Sequence, residues 1–159
     1  PRACPVLSQG PRCGPIQNRS TYDFIMTPSE LSQIHGAAFT MSRPWSAQEF
    51  EELLRNKHTH LFTCTQGFAL VQVIAGEAEL LTISVHPDAQ GKGAGGTLMS
   101  KWMSSVDADE AFLEVAADNH AARHLYEAHG FAGVAHRSAY YARDLGGSVD
   151  AIIMRRALK

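Results

Sequence analysis

The sequence has no hydrophobic run near the roughly 18 residues of a membrane-spanning helix, so we expect no segment that crosses a bilayer. It also has no basic excess: 14 lysines and arginines stand against 16 acidic residues, a formal net charge of −2. Nucleic acid is therefore not an expected partner, because nucleic-acid-binding proteins generally present a basic surface.

Cysteine is scarce, with Cys4, Cys13 and Cys64 widely spaced along the chain. An odd, scattered set favours reduced thiols in a cytoplasmic protein over a disulfide framework. Cys64 lies in a strand-like run, and we expect it to be a small buried hydrophobe.

The length of 159 residues and a hydrophobic content of 45% predict one globular domain over residues 21–159. Residues 1–20 differ, with four prolines and no acidic side chain, and predict an irregular tail. A transit peptide is a weaker interpretation, because the prolines would break the amphipathic helix that such a peptide needs.

Two helix starts are marked by capping boxes, at residues 27–30 and 46–49. In each, a hydroxyl residue is followed three positions later by glutamate, so that two unpaired backbone donors are satisfied reciprocally. Trp45, just before the second box, is placed to pack on Phe50 as a hydrophobic staple.

Apolar runs with strand character alternate with further helical segments, which predicts a layered α/β fold on a mixed sheet. A hairpin is expected to turn at residues 66–67. Helices are predicted from residue 97 to about 107 and from Asp118 or Asn119 to His129, with Gly130 ending the second. The predicted strands are residues 22–26, 60–65, 68–75, 80–85, 111–116, 131–141 and 148–156.

The centre of the chain is a strand, a glycine-rich turn and a helix start over residues 80–96. Unpaired backbone N–H groups and the positive end of the helix dipole converge at such a turn, so it predicts a pyrophosphate site. The candidate ligand-binding residues of the turn are Gln90, Gly91, Lys92, Gly93, Ala94, Gly95 and Gly96.

Two phosphate-binding motifs fit this turn poorly. Residues 91–96 match the dinucleotide pattern GxGxxG, and Glu114 lies at about the right distance for a ribose-binding acid. However, residues 87–90 separate the glycines from their strand, and too few strands follow for a doubly wound sheet. The ATPase phosphate loop fails because Lys92 is followed by Gly93 rather than by serine or threonine.

Residues 85–95 read V-x-P-x-x-Q-x-x-G-x-G and resemble the acetyl-CoA signature of the GNAT N-acetyltransferases. The resemblance continues in order through residues 113–115, 119, 125–127 and 130–131. A narrower resemblance, to the ribosomal-protein-alanine (RimI-type) branch, is carried by residues 39, 44–46, 77–78, 140–141 and 150–154. It implies a mixed, mostly antiparallel sheet flanked by helices, with acetyl-CoA as co-substrate.

Acetyl transfer from a thioester to an amine needs a base for the amine and a proton for the departing thiolate. Glu114 is the candidate base, because burial in an apolar strand would raise its pKa towards neutrality; a structural ion-paired acid is the alternative. The resemblance places the base there too and makes the Tyr126 hydroxyl the acid, where an ordinary half-buried tyrosine is the alternative.

The resemblance assigns further positions. The backbone of Ile83, Ser84 and Val85 would hold the acetyl and pantetheine arm. Asn119 would contact the coenzyme, a role compatible with capping a helix. Tyr140 and Tyr141 would border the acceptor groove, or are simply strand aromatics. The chain departs from the family at Gly91 and Gly96, where arginine is usual, and this could weaken coenzyme binding.

The acceptor is expected to be a peptide or protein N-terminus, by resemblance the alanine of a small-subunit ribosomal protein. An α-amine with a pKa of about 8 is easier to deprotonate than a lysine at about 10.4. A lysine or small amine as acceptor, and a non-catalytic coenzyme sensor, remain alternatives. No cysteine lies in the motifs, which favours direct transfer in a ternary complex. No metal is expected, because His120 and His124 lack a third ligand.

Overall fold

The computed structural model describes residues 15–16, 26–40, 43–143 and 146–159. Within these ranges seven strands form one sheet, in the order β1-β2-β3-β4-β5-β7-β6. All neighbouring pairs are antiparallel except β4 with β5. The strands are β1 Pro15–Ile16, β2 Thr59–Cys64, β3 Gly67–Ile74, β4 Glu77–Val85, β5 Glu110–Ala116, β6 Ala132–Ala142 and β7 Ser148–Ala157.

Helices cover both faces of the sheet and bury two apolar clusters. One face carries α1 (Pro28–Ala38) and α2 (Ala47–Arg55), whose Leu31 and Phe50 are fully buried. The other carries α3 (Ala94–Ser105) and α4 (His120–Ala128) over a larger cluster centred on Trp102. The predicted layered α/β fold with a mixed, mostly antiparallel sheet is confirmed. Among the described helices, none is long and apolar enough to span a membrane.

Both predicted capping boxes are formed, with reciprocal hydrogen bonds between Thr27 and Glu30 and between Ser46 and Glu49. Trp45 packs on Phe50, with ring centroids 5.5 Å apart, as the staple requires. Asn119 caps α4 through its side chain, and Gly130 follows the helix with a φ of +79°. The local sequence signals therefore place all four of these helix ends correctly.

The first hairpin turns one residue earlier than predicted. Its turn is Thr65–Gln66, and Gly67 already pairs with Cys64 in the strand ladder. The glycine is needed for space, because a Cβ at Gly67 would lie 3.1 Å from the Cys64 Sγ and 3.2 Å from the Ser84 carbonyl oxygen. Gln66 instead takes the left-handed turn position, at a φ of +58°. Cys64 is half-buried rather than buried.

Three further predictions can be compared with the described residues. Helix α3 begins at Ala94, not at Thr97, because Gly95 and Gly96 are helical and not part of the turn. The predicted irregular tail, residues 1–20, contains the two-residue strand β1, which pairs with Leu61 and Phe62 of β2. The predicted strand over residues 22–26 lies outside the described residues, apart from Met26, which is not in a strand.

His35 is a buried titratable group that apolar periodicity did not mark. It is 2% exposed, stacks on Phe39 and Trp45, and its Nδ1 accepts a hydrogen bond from the Trp45 backbone N–H. Burial lowers its pKa to about 4, despite the opposing charge of Glu49.

We expect His35 to make stability depend on pH. Between pH 6.5 and 4 the His35 ring is protonated in the unfolded chain but not in the folded chain. The free energy of unfolding therefore keeps its full value above pH 6.5 and falls as the pH drops towards 4. The loss from this group should be about 3 kcal/mol, at 1.36 kcal/mol per pKa unit. The free energy of unfolding, measured with urea at pH 7 and at pH 4.5, should differ less between the two pH values for H35F than for the wild type or for H58Q. An equal difference in all three proteins would contradict the prediction.

Candidate active site

The central feature of the site is a gap between β4 and β5. The two strands pair from Glu77 with Glu110 to Leu80 with Leu113, and no pairing is found beyond that point. Opposite this point, the register between β3 and β4 shifts by one residue. Strand β4 continues to Val85 and β5 to Ala116, so their ends diverge and leave main-chain groups on facing edges unpaired.

The predicted backbone ligands Ile83, Ser84 and Val85 lie on the β4 side of this gap. An extended ligand with amide groups can hydrogen-bond to such an edge in place of a strand. The pantetheine arm of coenzyme A is a ligand of this kind. The Gln90 side chain closes the end of the strand, where its Nε2 donates to the Val85 carbonyl at 2.9 Å.

The glycine-rich turn lies at the end of β4 and leads into α3. Gly91 and Gly93 have φ angles of +71° and +84°, and a Cβ added to either would meet nothing within 4 Å. Backbone conformation therefore requires these glycines, and the space in front of them is open. The α3 ladder starts with the Thr97 N–H donating to the Gly93 carbonyl, so the N–H groups before it can bind an anion.

Two other residues of the predicted ligand-binding set have structural contacts. The Lys92 ammonium donates to the Asp88 carbonyl at 2.8 Å, and this contact holds the positive charge of Lys92 close to the turn. Gly95 lets α3 approach α4, because a Cβ there would lie 3.2 Å from a Leu125 methyl group. The predicted residues 90–96 thus lie together at the end of the gap, and their binding of a pyrophosphate through main-chain N–H groups stays a prediction.

Glu114 lies in the middle of β5 on the face opposite the Trp102 cluster. Its side chain is 22% exposed, and its Oε1 lies 3.0 Å from Nη1 of Arg137 on β6. Glu79 on β4 is a nearby carboxylate, whose pKa is raised by burial and by the charge of Glu114. The sequence analysis missed both neighbours, because they reach Glu114 only through the strand order.

Tyr126 lies on α4 and is 7% exposed, packed against Phe131. Burial raises the pKa of its hydroxyl, with a smaller effect from Tyr141, so it keeps its proton throughout the neutral range. The pKa of Tyr141 is raised by burial and then by the charge of Glu114. Tyr141 therefore lies within electrostatic reach of both predicted catalytic groups.

Tyr140 and Tyr141 stand on β6 as an edge-to-face pair with centroids 5.1 Å apart. The Arg137 guanidinium lies 5.4 Å from the Tyr140 ring centroid, and the Arg143 guanidinium lies 5.9 Å from that of Tyr141. Arg143 is in turn bound by Asp118, with Nε 3.0 Å from Oδ2. The ion pair ties the end of β6 to the turn that precedes α4.

A bulge in β6 sets the direction of these rings. The β6–β7 register shifts between Arg137 and Tyr141, and Ala139 within the bulge has a φ of +53°. The Asp150 carboxylate accepts the Ala139 N–H at 2.9 Å. A left-handed alanine is unfavourable by about 1 kcal/mol relative to glycine, so Asp150 is the contact that offsets this cost.

We expect D150A to raise the KM for the amine acceptor about fivefold, because the bulge would relax and move both tyrosines. D150N should behave as wild type, since an amide oxygen can accept the same hydrogen bond. Adding A139G to D150A should restore the KM, because glycine adopts this φ without strain. Steady-state kinetics at saturating acetyl-CoA checks all three; equal KM values for D150A and wild type would contradict the assignment.

Asn119 has the capping role considered from the sequence, since its Oδ1 accepts the Ala122 N–H at 3.2 Å. The same residue lies between β5 and α4, beside the gap. Its contact with the coenzyme stays a prediction. His120 and His124 follow on α4, and within the described ranges no group of three metal-ligating side chains converges.

Comparisons with known proteins bear on this site as a whole. The Acetyltransferase (GNAT) family profile matches residues 29–131. The chain is 36% identical over 119 residues to the [ribosomal protein bS18]-alanine N-acetyltransferase of Escherichia coli K12, covering 70% of this chain and 79% of that protein. It is 33% identical over 135 residues to the N-alpha-acetyltransferase RimI of Mycobacterium tuberculosis, covering 79% and 83%.

The fold agrees with these matches. The crystal structure of the ribosomal-protein-S18-alanine N-acetyltransferase from Escherichia coli superposes with a TM-score of 0.77 at 28% identity, over 93% of this chain and 95% of that one. The chain therefore belongs to the GNAT acetyltransferase family and is an N-acetyltransferase with acetyl-CoA as its co-substrate.

Proposed function

We propose that this enzyme acetylates the α-amino group of a protein N-terminus, and that the N-terminal alanine of a ribosomal protein is its acceptor. Two relatives are named for α-amine acetylation. The observation that carries the proposal is the partly exposed carboxylate of Glu114 beside the β4–β5 gap, with Tyr141 within electrostatic reach.

The basicity of the acceptor favours an α-amine. Deprotonating an α-ammonium with a pKa of about 8 near pH 7.4 costs less than about 1 kcal/mol, whereas a lysine at about 10.4 costs about 4 kcal/mol. The Glu114 carboxylate, which contacts Arg137 and is partly open to water, is suited to deprotonating an α-ammonium. It would be a weak base for a lysine.

Each group then has one role in the proposed mechanism. The acceptor ammonium displaces Arg137, whose side chain is 52% exposed and can turn towards solvent. Glu114 takes the proton from the ammonium, directly or through one water molecule, and the free amine attacks the acetyl carbonyl carbon. As the carbon–sulfur bond of the tetrahedral intermediate breaks, the Tyr126 hydroxyl gives its proton to the departing sulfur. The second proton of the acceptor nitrogen returns to the Tyr126 oxygen through water, so that the products are a neutral amide, a free thiol and the restored tyrosine. Tyr140 and Tyr141 hold the first residues of the acceptor against the β6 bulge.

A panel of acceptors tests the proposal. A peptide with a free N-terminal alanine, the same peptide with a blocked N-terminus and one internal lysine, and spermidine are each incubated with acetyl-CoA, and acetylation is located by mass spectrometry. We expect modification of the α-amine alone, with the alanine peptide preferred over one that begins with proline. Faster acetylation of the lysine or of spermidine would replace the proposal with a side-chain or polyamine acceptor, and no acetylation would favour a coenzyme sensor.

A further inference from the structure

An open groove of about 680 Å³ runs along the outer side of α3, starting at its first turn. It therefore begins beside the glycine turn where the pyrophosphate is expected. Its lining residues are Gly96, Thr97, Ser100, Lys101, Ser104 and His129. No predicted role of the sequence analysis uses Lys101 or His129.

Gly96 is one of the two positions at which this chain has lost the arginine usual in its family. A Cβ at Gly96 would lie 3.7 Å from Cε1 and 4.0 Å from Nε2 of His129. The imidazole therefore borders the space into which a side chain at position 96 would extend. The His129 ring, which follows the last residue of α4, therefore stands next to a position on α3 that has no side chain.

The orientation of the His129 ring is fixed by a backbone contact. Its Nδ1 lies 2.8 Å from the Leu125 carbonyl oxygen. Because a carbonyl only accepts, Nδ1 carries the hydrogen atom, and Nε2 is the nitrogen left on the side of Gly96. A protonated ring donates from Nε2 to an anion in the groove.

The charge of the groove is positive. Among the described residues, Lys101 has no carboxylate within ion-pair distance, and no lining residue is acidic. The chain as a whole has a formal net charge of −2. A cationic groove next to an anion-binding turn therefore suits a second anionic group of the same ligand.

We propose that Lys101 and His129 bind the 3′-phosphate of coenzyme A in this groove. Coenzyme A carries a pyrophosphate and, on its ribose, one further phosphate. When the pyrophosphate lies at the glycine turn, the ribose phosphate is the anion that remains to be placed. The assignment rests on coenzyme use by this family and not on the acceptor proposed above.

Calorimetric titration of the full chain with coenzyme A and with 3′-dephospho-coenzyme A tests the proposal, since the two ligands differ by this phosphate alone. We expect the wild type to bind coenzyme A about tenfold more tightly, the combined effect of two partly exposed ionic contacts. K101Q and H129Q should each lower this ratio, and the double variant should bring it below about twofold. Their affinities for the dephospho ligand should stay within about twofold of the wild type.

Two controls separate this subsite from the rest of the coenzyme site. K92Q, in the glycine turn, should weaken both ligands equally and leave the ratio unchanged. K57Q, on an exposed residue after α2, should change neither affinity. The proposal would be overturned if the wild type bound coenzyme A and the dephospho ligand with equal affinity. It would also be overturned if the double variant kept the wild-type preference for coenzyme A. Neither outcome affects the acceptor proposal, because no amine is present in the titration.

Discussion

Replacing Glu114 with glutamine should lower kcat for α-amine acetylation by about a hundredfold, because removal of a general base typically costs 10²–10⁴ in rate. Glutamine keeps the shape of the side chain but cannot accept the proton of the acceptor ammonium. The effect should fall on kcat, since the predicted acetyl-CoA contacts come from main-chain groups of β4 and the glycine turn and not from Glu114. Stopped-flow or coupled thiol-release assays at saturating acetyl-CoA measure it directly.

E79Q is the matched control for E114Q. Glu79 is a half-buried carboxylate whose pKa already responds to the charge of Glu114, yet it has no part in the proposed proton transfer. Its replacement should change kcat less than about threefold, well below the range typical of general-base loss. If E79Q were as damaging as E114Q, the base would be the pair and not Glu114 alone. If E114Q retained full activity, the base would have to be sought elsewhere.

Tyr126→Phe should lower kcat by about thirtyfold, somewhat less than the 10²–10⁴ typical of a general acid, and should leave acetyl-CoA affinity within about twofold. The hydroxyl is the only group removed, so the packing of the ring on Phe131 is kept. Because burial raises the pKa of Tyr126 above its ordinary value, the wild-type rate should show no alkaline fall from this group below pH 10.

The choice of acyl donor identifies what Tyr126 does. Its proposed proton goes to the departing sulfur, so a thioester with a much more acidic thiol needs this help less. Y126F should therefore lose little rate with an activated aryl thioester, while E114Q should remain slow with both donors. A thirtyfold loss with both donors would assign Tyr126 to positioning and not to proton donation.

The sequence predicted the capped helix ends and the position of the glycine-rich turn well because those signals are local. Capping pairs, the staple of Trp45 on Phe50 and the left-handed Gly91 and Gly93 all depend on residues within a few positions of one another. The start of α3 was predicted three residues late because glycines were assigned to the turn, although Gly95 serves helix contact. Composition alone cannot separate these two uses of glycine.

The surroundings of the catalytic groups could not be predicted, because they depend on strand order. Arg137 reaches Glu114 only because β7 lies between β5 and β6. The bulge at Ala139 likewise depends on Asp150, eleven residues later. His35 was missed because a polar side chain on an apolar face carries no hydrophobic period. In each case the partner is remote in sequence, and only the folded chain brings the two together.

The divergence of β4 and β5 affects the stability of the protein when no coenzyme is bound. On its β5 side, the stretch of β4 over residues 81–85 has no strand pairing, so its amides on that side should exchange deuterium faster than those of the paired residues 77–80. Bound coenzyme would complete the ladder, and at a hundredfold excess over Kd it would add about 2.7 kcal/mol to the free energy of unfolding. Metabolic supply of acetyl-CoA and CoA would then govern how long the enzyme resists proteolysis.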